Sequence, residues 1–149
     1  METVVSYAIT TLHNVLLACG DIKVQLRKLG GIQKMVPLLT RHKNAKFLAI
    51  VVDCLQLLSH GHQESKLLLL EFGGPGLLIE ILRSSNYPKL ILMTMRLLKV
   101  LSVCTQNKKA LINCGKFQIN KHFSNLKLTL SIDRCHASFV TSFDKFKRE

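Results

Sequence analysis

Tryptophan is absent from this chain and tyrosine occurs only twice. That leaves little aromatic surface for stacking nucleobases, so single-strand nucleic-acid binding of that kind is disfavoured. Acidic residues are also scarce: nine Asp and Glu stand against 21 Lys and Arg, a formal net charge of +12. Such a field attracts nucleic acid, anionic lipid or an acidic polypeptide, and composition alone does not choose among them. Every apolar run is cut by a charge before ~18 residues, at Asp53, Arg96 and Lys99 for example, so no membrane span is expected. The opening METVVSYAIT lacks a basic leader region, and no secretory signal is expected. Neither GxGxxG nor GKS/GKT is present, so the paired glycines read as turns rather than phosphate loops. The five cysteines include no CxxC spacing. Cys54 and Cys104 lie among Leu and Val and read as buried, reduced thiols. Cys135 and His136 lack the second close pair that a zinc site needs. A reducing intracellular compartment is the default expectation.

What is present is apolar and helical. The chain of 149 residues is 48% hydrophobic with Gly 8 and Pro 3, which argues for a packed core and against disorder. Lys46 to His60 (KFLAIVVDCLQLLSH) is the organising stretch, apolar on most helical faces and so covered on most sides. One stripe is left over, Lys46, Ala49, Asp53, Gln56 and His60, spaced three or four apart along a single face. The pattern occurs before it as Tyr7, Thr11 and Asn14, and after it as Lys89, Leu92, Arg96 and Lys99.

Taken in order, Val4 to Cys19 reads as a helix, with Gly20 as its C-cap and Asp21 as the next N-cap. Ile22 to Leu29 is a short amphipathic helix stopped by Gly30-Gly31, and Ile32 to Leu39 is another, in which Pro37 predicts a kink or truncation. A polar loop follows over Thr40 to Asn44, and the long helix then begins at Ala45. Gln63 to Phe72 is short again, Gly73-Gly74 and Pro75 open the next element, and Pro88 opens the long helix Lys89 to Cys104. Thr105 to Asn107 reads as a turn and Lys108 to Asn113 as a short helix ending at Cys114-Gly115. Gly30-Gly31 therefore recurs at Gly73-Gly74, and Asn14, Gln56 and Lys99 hold matching places on the three long helices. An interval of about 42 residues with short, short and long helices falls in the HEAT and armadillo range. Stacking such units makes their cores continuous.

These motifs carry a resemblance. YAITTLHN (Tyr7–Asn14), GGIQKMV (Gly30–Val36), KFLAI (Lys46–Ile50), DCLQ (Asp53–Gln56), GHQESKL (Gly61–Leu67) and LKVLSVC (Leu98–Cys104) strongly resemble the β-catenin–plakoglobin family, from about Val4 to Gln118. The match looks like the last helix of that family's third armadillo repeat, all of the fourth and fifth, and the start of the sixth. The fold implied is all-α, a right-handed α-solenoid of armadillo repeats with three helices per repeat, truncated. The function implied is a scaffold and not an enzyme, with no cofactor and no metal. Its basic groove, lined by third helices, would hold extended acidic ligands: cadherin tails, T-cell factor/lymphoid enhancer factor transcription factors, axin and the adenomatous polyposis coli protein. Adherens junction, cytoplasm and nucleus are the implied locations.

The polar stripes agree, since Lys46, Lys89, Arg96 and Lys99 converge on one face beside Asp53, Gln56 and His60. Asp53 reads as an ion-pair partner for a groove lysine, because no second carboxylate accompanies it. His60 and His62 flank Gly61 at a helix end and read as capping or exposed. By resemblance, Lys66 matches a lysine that clamps an acidic ligand side chain, and His13 and Asn14 match the polar lining. An amide such as Asn14 suits an extended ligand, whose backbone groups need partners. The chain departs from the family at His60 (tyrosine there), Leu92 (tryptophan) and Ser6 (phenylalanine), each removing aromatic anchoring surface. The array is expected over 1–118. Residues 119–149 diverge, with Leu126, Leu128, Leu130 and Ile132 alternating like a strand, and are expected to form a poorly ordered tail. The alternatives are a truncated product that is inactive or dominant-negative, and a basic solenoid that binds nucleic acid.

Overall fold

The computed structural model describes residues 2–116. The expectations for 119–149, with the alternating leucines and the Cys135–His136 pair, lie outside them. Met1–Phe117 form one compact unit. The described residues contain helices and no strand: α1 (Glu2–Ala18), α2 (Gly20–Lys28), α3 (Gly31–Met35), α4 (Leu38–Arg41), α5 (Ala45–Ser59), α6 (Gln63–Glu71), α7 (Gly74–Ser84), α8 (Pro88–Ser102) and α9 (Thr105–Lys116). α2, α3 with α4, and α5 make one three-helix layer, and α6, α7 and α8 make the next. α1 is the last helix of the preceding layer and α9 the first of the following one. α5 packs on α1 and, most extensively, on α8, while α6 packs on α3. The array is a helical solenoid.

α5 forms the middle of the core for local reasons that its sequence states. The Asn44 side chain accepts hydrogen bonds from the N–H groups of Lys46 and Phe47, satisfying two donors that would have no helical partner. Phe47, Leu48, Val51, Val52, Cys54, Leu55 and Leu58 are all buried, between α1 on one side and α8 on the other. Ala49, assigned to the leftover stripe, is buried as well. The buried hydroxyls of Ser59 and Thr94 donate to the carbonyls of Leu55 and Leu90, so neither enters the core unpaired. Gly61, in a left-handed conformation, turns the chain towards α6.

The two glycines of each pair have different duties. Gly30 and Gly73 have φ of 74° and 70°, a region that glycine enters without steric cost. Gly31 and Gly74 allow close packing instead: a Cβ on Gly74 would stand 2.7 Å from the Leu69 carbonyl oxygen, and one on Gly31 would stand 2.6 Å from Leu26 Cγ.

Pro37 shortens its helix as expected, with α3 ending at Met35 and α4 starting after Pro37. Several boundaries differ from the sequence reading: α4 takes in Thr40 and Arg41, read as loop, and α8 ends at Ser102 rather than Cys104. Gly20 is the first residue of α2 rather than a C-cap, Cys19 is the N-cap, and Asp21 sits in the first turn, where its charge favours the helix dipole. α9 is one helix from Thr105 to Lys116, with neither a turn at its start nor a stop at Gly115. The Cys104 sulfur takes the N–H groups of Gln106 and Asn107, doing at the helix start what a capping oxygen usually does. At the far end only one glycine is present, and the helix runs through it.

Candidate functional site

The third helices of three consecutive layers, α1, α5 and α8, stand side by side. Their polar stripes therefore form one surface. Asn14 on α1, Lys46 and His60 on α5, and Lys89, Arg96 and Lys99 on α8 are exposed, and Gln56 is half-buried. Among the described residues, none of Lys46, Lys89, Arg96 and Lys99 meets a carboxylate within ion-pair distance. Four cations with no carboxylate in ion-pair contact give this surface a positive potential, strongest along α8.

Asp53 and His13 belong to the same surface but spend their polarity on each other. His13 Nε2 lies 2.6 Å from Asp53 Oδ2, linking α1 to α5. This corrects the expectation that Asp53 pairs with a lysine. Lys46 lies seven residues earlier, at the solvent end of α5, whereas His13 comes directly across the α1–α5 interface. Both partners are about four-fifths buried, so the contact is firmer than a surface ion pair.

Lys66 stands apart from the third-helix row. It lies on α6, the first helix of the second full layer, and is only 8% exposed. Its backbone carbonyl accepts a 2.8 Å hydrogen bond from Asn107 Nδ2 on α9. No carboxylate among the described residues lies within ion-pair distance of its ammonium. Buried methylenes with a charged tip are what a long cationic side chain adopts when it must reach from a packed seam.

That seam was missed in the sequence. Gln63 Nε2 donates to Cys104 Sγ at 3.2 Å, and Asn107, fully buried, ties α9 to α6. Each pair spans 41 residues, one repeat interval, which is the signal that could have found them. The Cys104 thiol is raised by burial, but the N–H groups of Asn107 and Gln106 and the Gln63 and Asn107 side chains outweigh this and lower it. The Cys54 thiol goes the other way, pushed up to about 12 by burial and by the nearby Asp53 charge. Cys54 and Cys104 are buried free thiols, as expected, and Cys19 is exposed. Of the two flanking histidines, His62 caps α6, its Nδ1 accepting from the Ser65 N–H at 3.2 Å. His60 is exposed at the end of α5.

No cluster of three potential metal ligands exists among the described residues, and no described helix is long and apolar enough to cross a membrane. Repeated three-helix layers, left-handed glycines between the first and second helices and an aligned row of third helices define an armadillo-type solenoid. Comparison with known proteins shows which ones the chain is similar to. No protein-family model matches the chain. Junction plakoglobin of Xenopus laevis is 53% identical over 126 residues, 84% of this chain and 17% of that protein. Catenin beta of Urechis caupo is 53% identical over 125 residues, 84% of this chain and 15% of that protein. A solved structure, from work on a phosphorylation switch controlling the interaction between cadherin and β-catenin, superposes with a TM-score of 0.75. It has 41% sequence identity over 77% of this chain and 23% of its own. The chain is a homologue of catenin beta and junction plakoglobin, and it spans about a sixth of the length of the relatives it matches. At 126 residues the matched stretch is somewhat longer than the 1–118 span carrying the motifs.

Proposed function

We propose that this catenin-like armadillo segment is a scaffold whose basic third-helix surface holds extended acidic segments of other proteins, the cytoplasmic tail of a cadherin first among them. The observation that carries the reading is the row of Lys46, Lys89, Arg96 and Lys99, exposed and without an ion-pair partner among the described residues. An extended acidic peptide laid across α1, α5 and α8 supplies those charges and gains charge-assisted hydrogen bonds. Asn14 and Gln56 offer amides to its backbone, His60 lies at the end of α5, and Lys66 offers an ammonium from α6. The His13–Asp53 pair breaks the row, so the ligand's acidic side chains fall to either side of it. By the same chemistry, T-cell factor-type transcription factors, axin and the adenomatous polyposis coli protein are further candidate ligands. Such roles place the protein at cell junctions, in the cytoplasm and in the nucleus. The reading requires no catalytic step.

The test is a titration with a phosphorylated cadherin-tail peptide, comparing the wild type with Lys66→Ala and Lys99→Ala. Loss of one charge-assisted contact should weaken binding by ~1–3 kcal/mol in each variant. Unchanged affinity in both would refute the assignment. Equal binding to random duplex DNA, with the same steep salt dependence, would replace it with non-specific polyanion binding.

A further inference from the structure

Asn107 is fully buried, yet its amide is only half used. Nδ2 donates to the Lys66 carbonyl at 2.8 Å, while Oδ1, sealed from solvent, meets no donor among the described residues. A buried acceptor left without a donor works against stability, so packing alone does not account for an asparagine here. Serine holds the matching place one layer earlier. Ser65 is the third residue of α6, as Asn107 is of α9, and it is buried with its hydroxyl paired to His62 Nδ1.

The Asn107 bond is the second rung of a short ladder. Gln63 and Lys66 are three residues apart on α6 and so share a face. Cys104 and Asn107 stand at the start of α9. Gln63 Nε2 donates to Cys104 Sγ at 3.2 Å, and Asn107 closes the next rung on Lys66. The Cys104 sulfur also takes the backbone N–H and the side chain of Asn107, so the asparagine is tied at both ends. What the ladder fixes is the backbone of Lys66. A lysine that is only 8% exposed has its methylenes confined by the packing around them, which removes most of the freedom of its four torsions. Where the ammonium emerges therefore follows from where the Lys66 backbone is held, and Asn107 holds it.

We infer that Asn107 is the positioning residue of Lys66, setting the point at which that ammonium meets an acidic side chain of the ligand. The inference rests on the reading of Lys66 as a ligand-binding cation. It adds a residue on α9, outside the third-helix row and too deeply buried to touch a ligand itself. An amide retained for its one directed donor tolerates an idle acceptor, which accounts for the unpaired Oδ1.

Titration of the full chain with the phosphorylated cadherin-tail peptide, arranged as a double-mutant cycle, tests this. Asn107→Ala should weaken binding about fivefold in the wild-type background. In the Lys66→Ala background it should change nothing, because an ammonium that is absent cannot be misplaced. In the Lys99→Ala background the loss should again be about fivefold, since Lys99 lies on α8 and is not bonded to Asn107. A residue that merely stabilised the fold would lower affinity alike in all three. Gln63→Ala cuts the other rung from an exposed position and should couple to Lys66 in the same sense, which decides the matter if circular dichroism shows that Asn107→Ala does not fold. Losses that are equal with and without Lys66 would overturn the inference. Should Lys66→Ala itself leave affinity unchanged, the reading of Lys66 as a ligand-binding cation fails, and the inference falls with it.

Discussion

His13 Nε2 and Asp53 Oδ2, 40 residues apart in the chain, meet at 2.6 Å and join the first long helix to the second. The contact places the Asp53 carboxylate opposite an imidazole instead of leaving it to face an incoming ligand. It also leaves a carboxylate on the middle helix of the row, between the helices that carry Lys89, Arg96 and Lys99 on one side and Asn14 on the other.

Removing that charge should strengthen the attraction for acidic ligands. Asp53→Asn keeps an oxygen for the His13 ring and deletes one negative charge. Peptide affinity is expected to rise a few-fold at low ionic strength, and the gain should shrink as salt shortens the Debye length below about 10 Å. Stability should fall by about 1 kcal/mol, the difference between a charge-assisted and a neutral hydrogen bond. Calorimetric titration at two salt concentrations and a urea midpoint read the two effects separately. Weaker peptide binding in Asp53→Asn would show that the carboxylate itself contacts the ligand.

A second cross-helix contact is purely structural. Arg27 Nε donates to the Leu58 carbonyl at 2.8 Å, where α5 is ending and its carbonyls run out of partners. A guanidinium there also complements the negative end of the helix dipole. Arg27→Ala is expected to lower stability by about 1–2 kcal/mol, read from the urea midpoint, with peptide affinity little changed. Arg27→Lys should recover part of the loss, since an ammonium keeps the charge but not the directed Nε–H.

The glycine pairs separate two kinds of strain. Gly73→Ala meets open space but must hold φ of 70°, which costs about 1 kcal/mol for a residue with a Cβ. Gly74→Ala faces the Leu69 carbonyl oxygen at 2.7 Å, and backbone cannot swing away as a side chain tip can. Its cost should be the larger, about 2–3 kcal/mol, because α6 and α7 must part. Thermal unfolding of the two variants checks the order. An equal loss in both would mean that α7 shifts without resistance.

These glycines also show how far the sequence carried. The period, the helix order and the third-helix stripes were legible because they repeat, and repetition turns weak local signals into an architecture. The pairs themselves were legible as turns, yet only the coordinates assign left-handed backbone to the first glycine and close packing to the second. The partner of Asp53 was not legible. No local pattern connects residues 40 apart, and a basic groove suggested lysine rather than histidine. Lys66 was placed by resemblance among groove residues, and its burial against α9 depends on Asn107, a residue that reads as turn material. α9 itself was cut short in the sequence reading because its cap is a sulfur and its third-repeat glycine is single.

The thiols offer the last test, through pH. Cys54 is held to about 12 in the folded protein, against ~8.5 for an unfolded thiol. Between those values the native chain retains a proton that the unfolded chain has released. The associated stability is therefore complete below about pH 8.5 and is lost as pH rises, by up to ~1.4 kcal/mol per unit. Cys104, lowered by its N–H partners, has the opposite sign: its contribution is present above the unfolded value and is lost as pH falls through the folded one. Cys54→Ala removes the first effect and keeps the second. The stability gap between wild type and Cys54→Ala should narrow steadily from pH 8 to pH 10 in urea titrations. At pH 8, iodoacetamide should modify the exposed Cys19 at once and reach Cys54 only as the chain unfolds. A gap that stays constant with pH, or rapid modification of Cys54 in the folded protein, would mean that this sulfur is not sealed between α1 and α8.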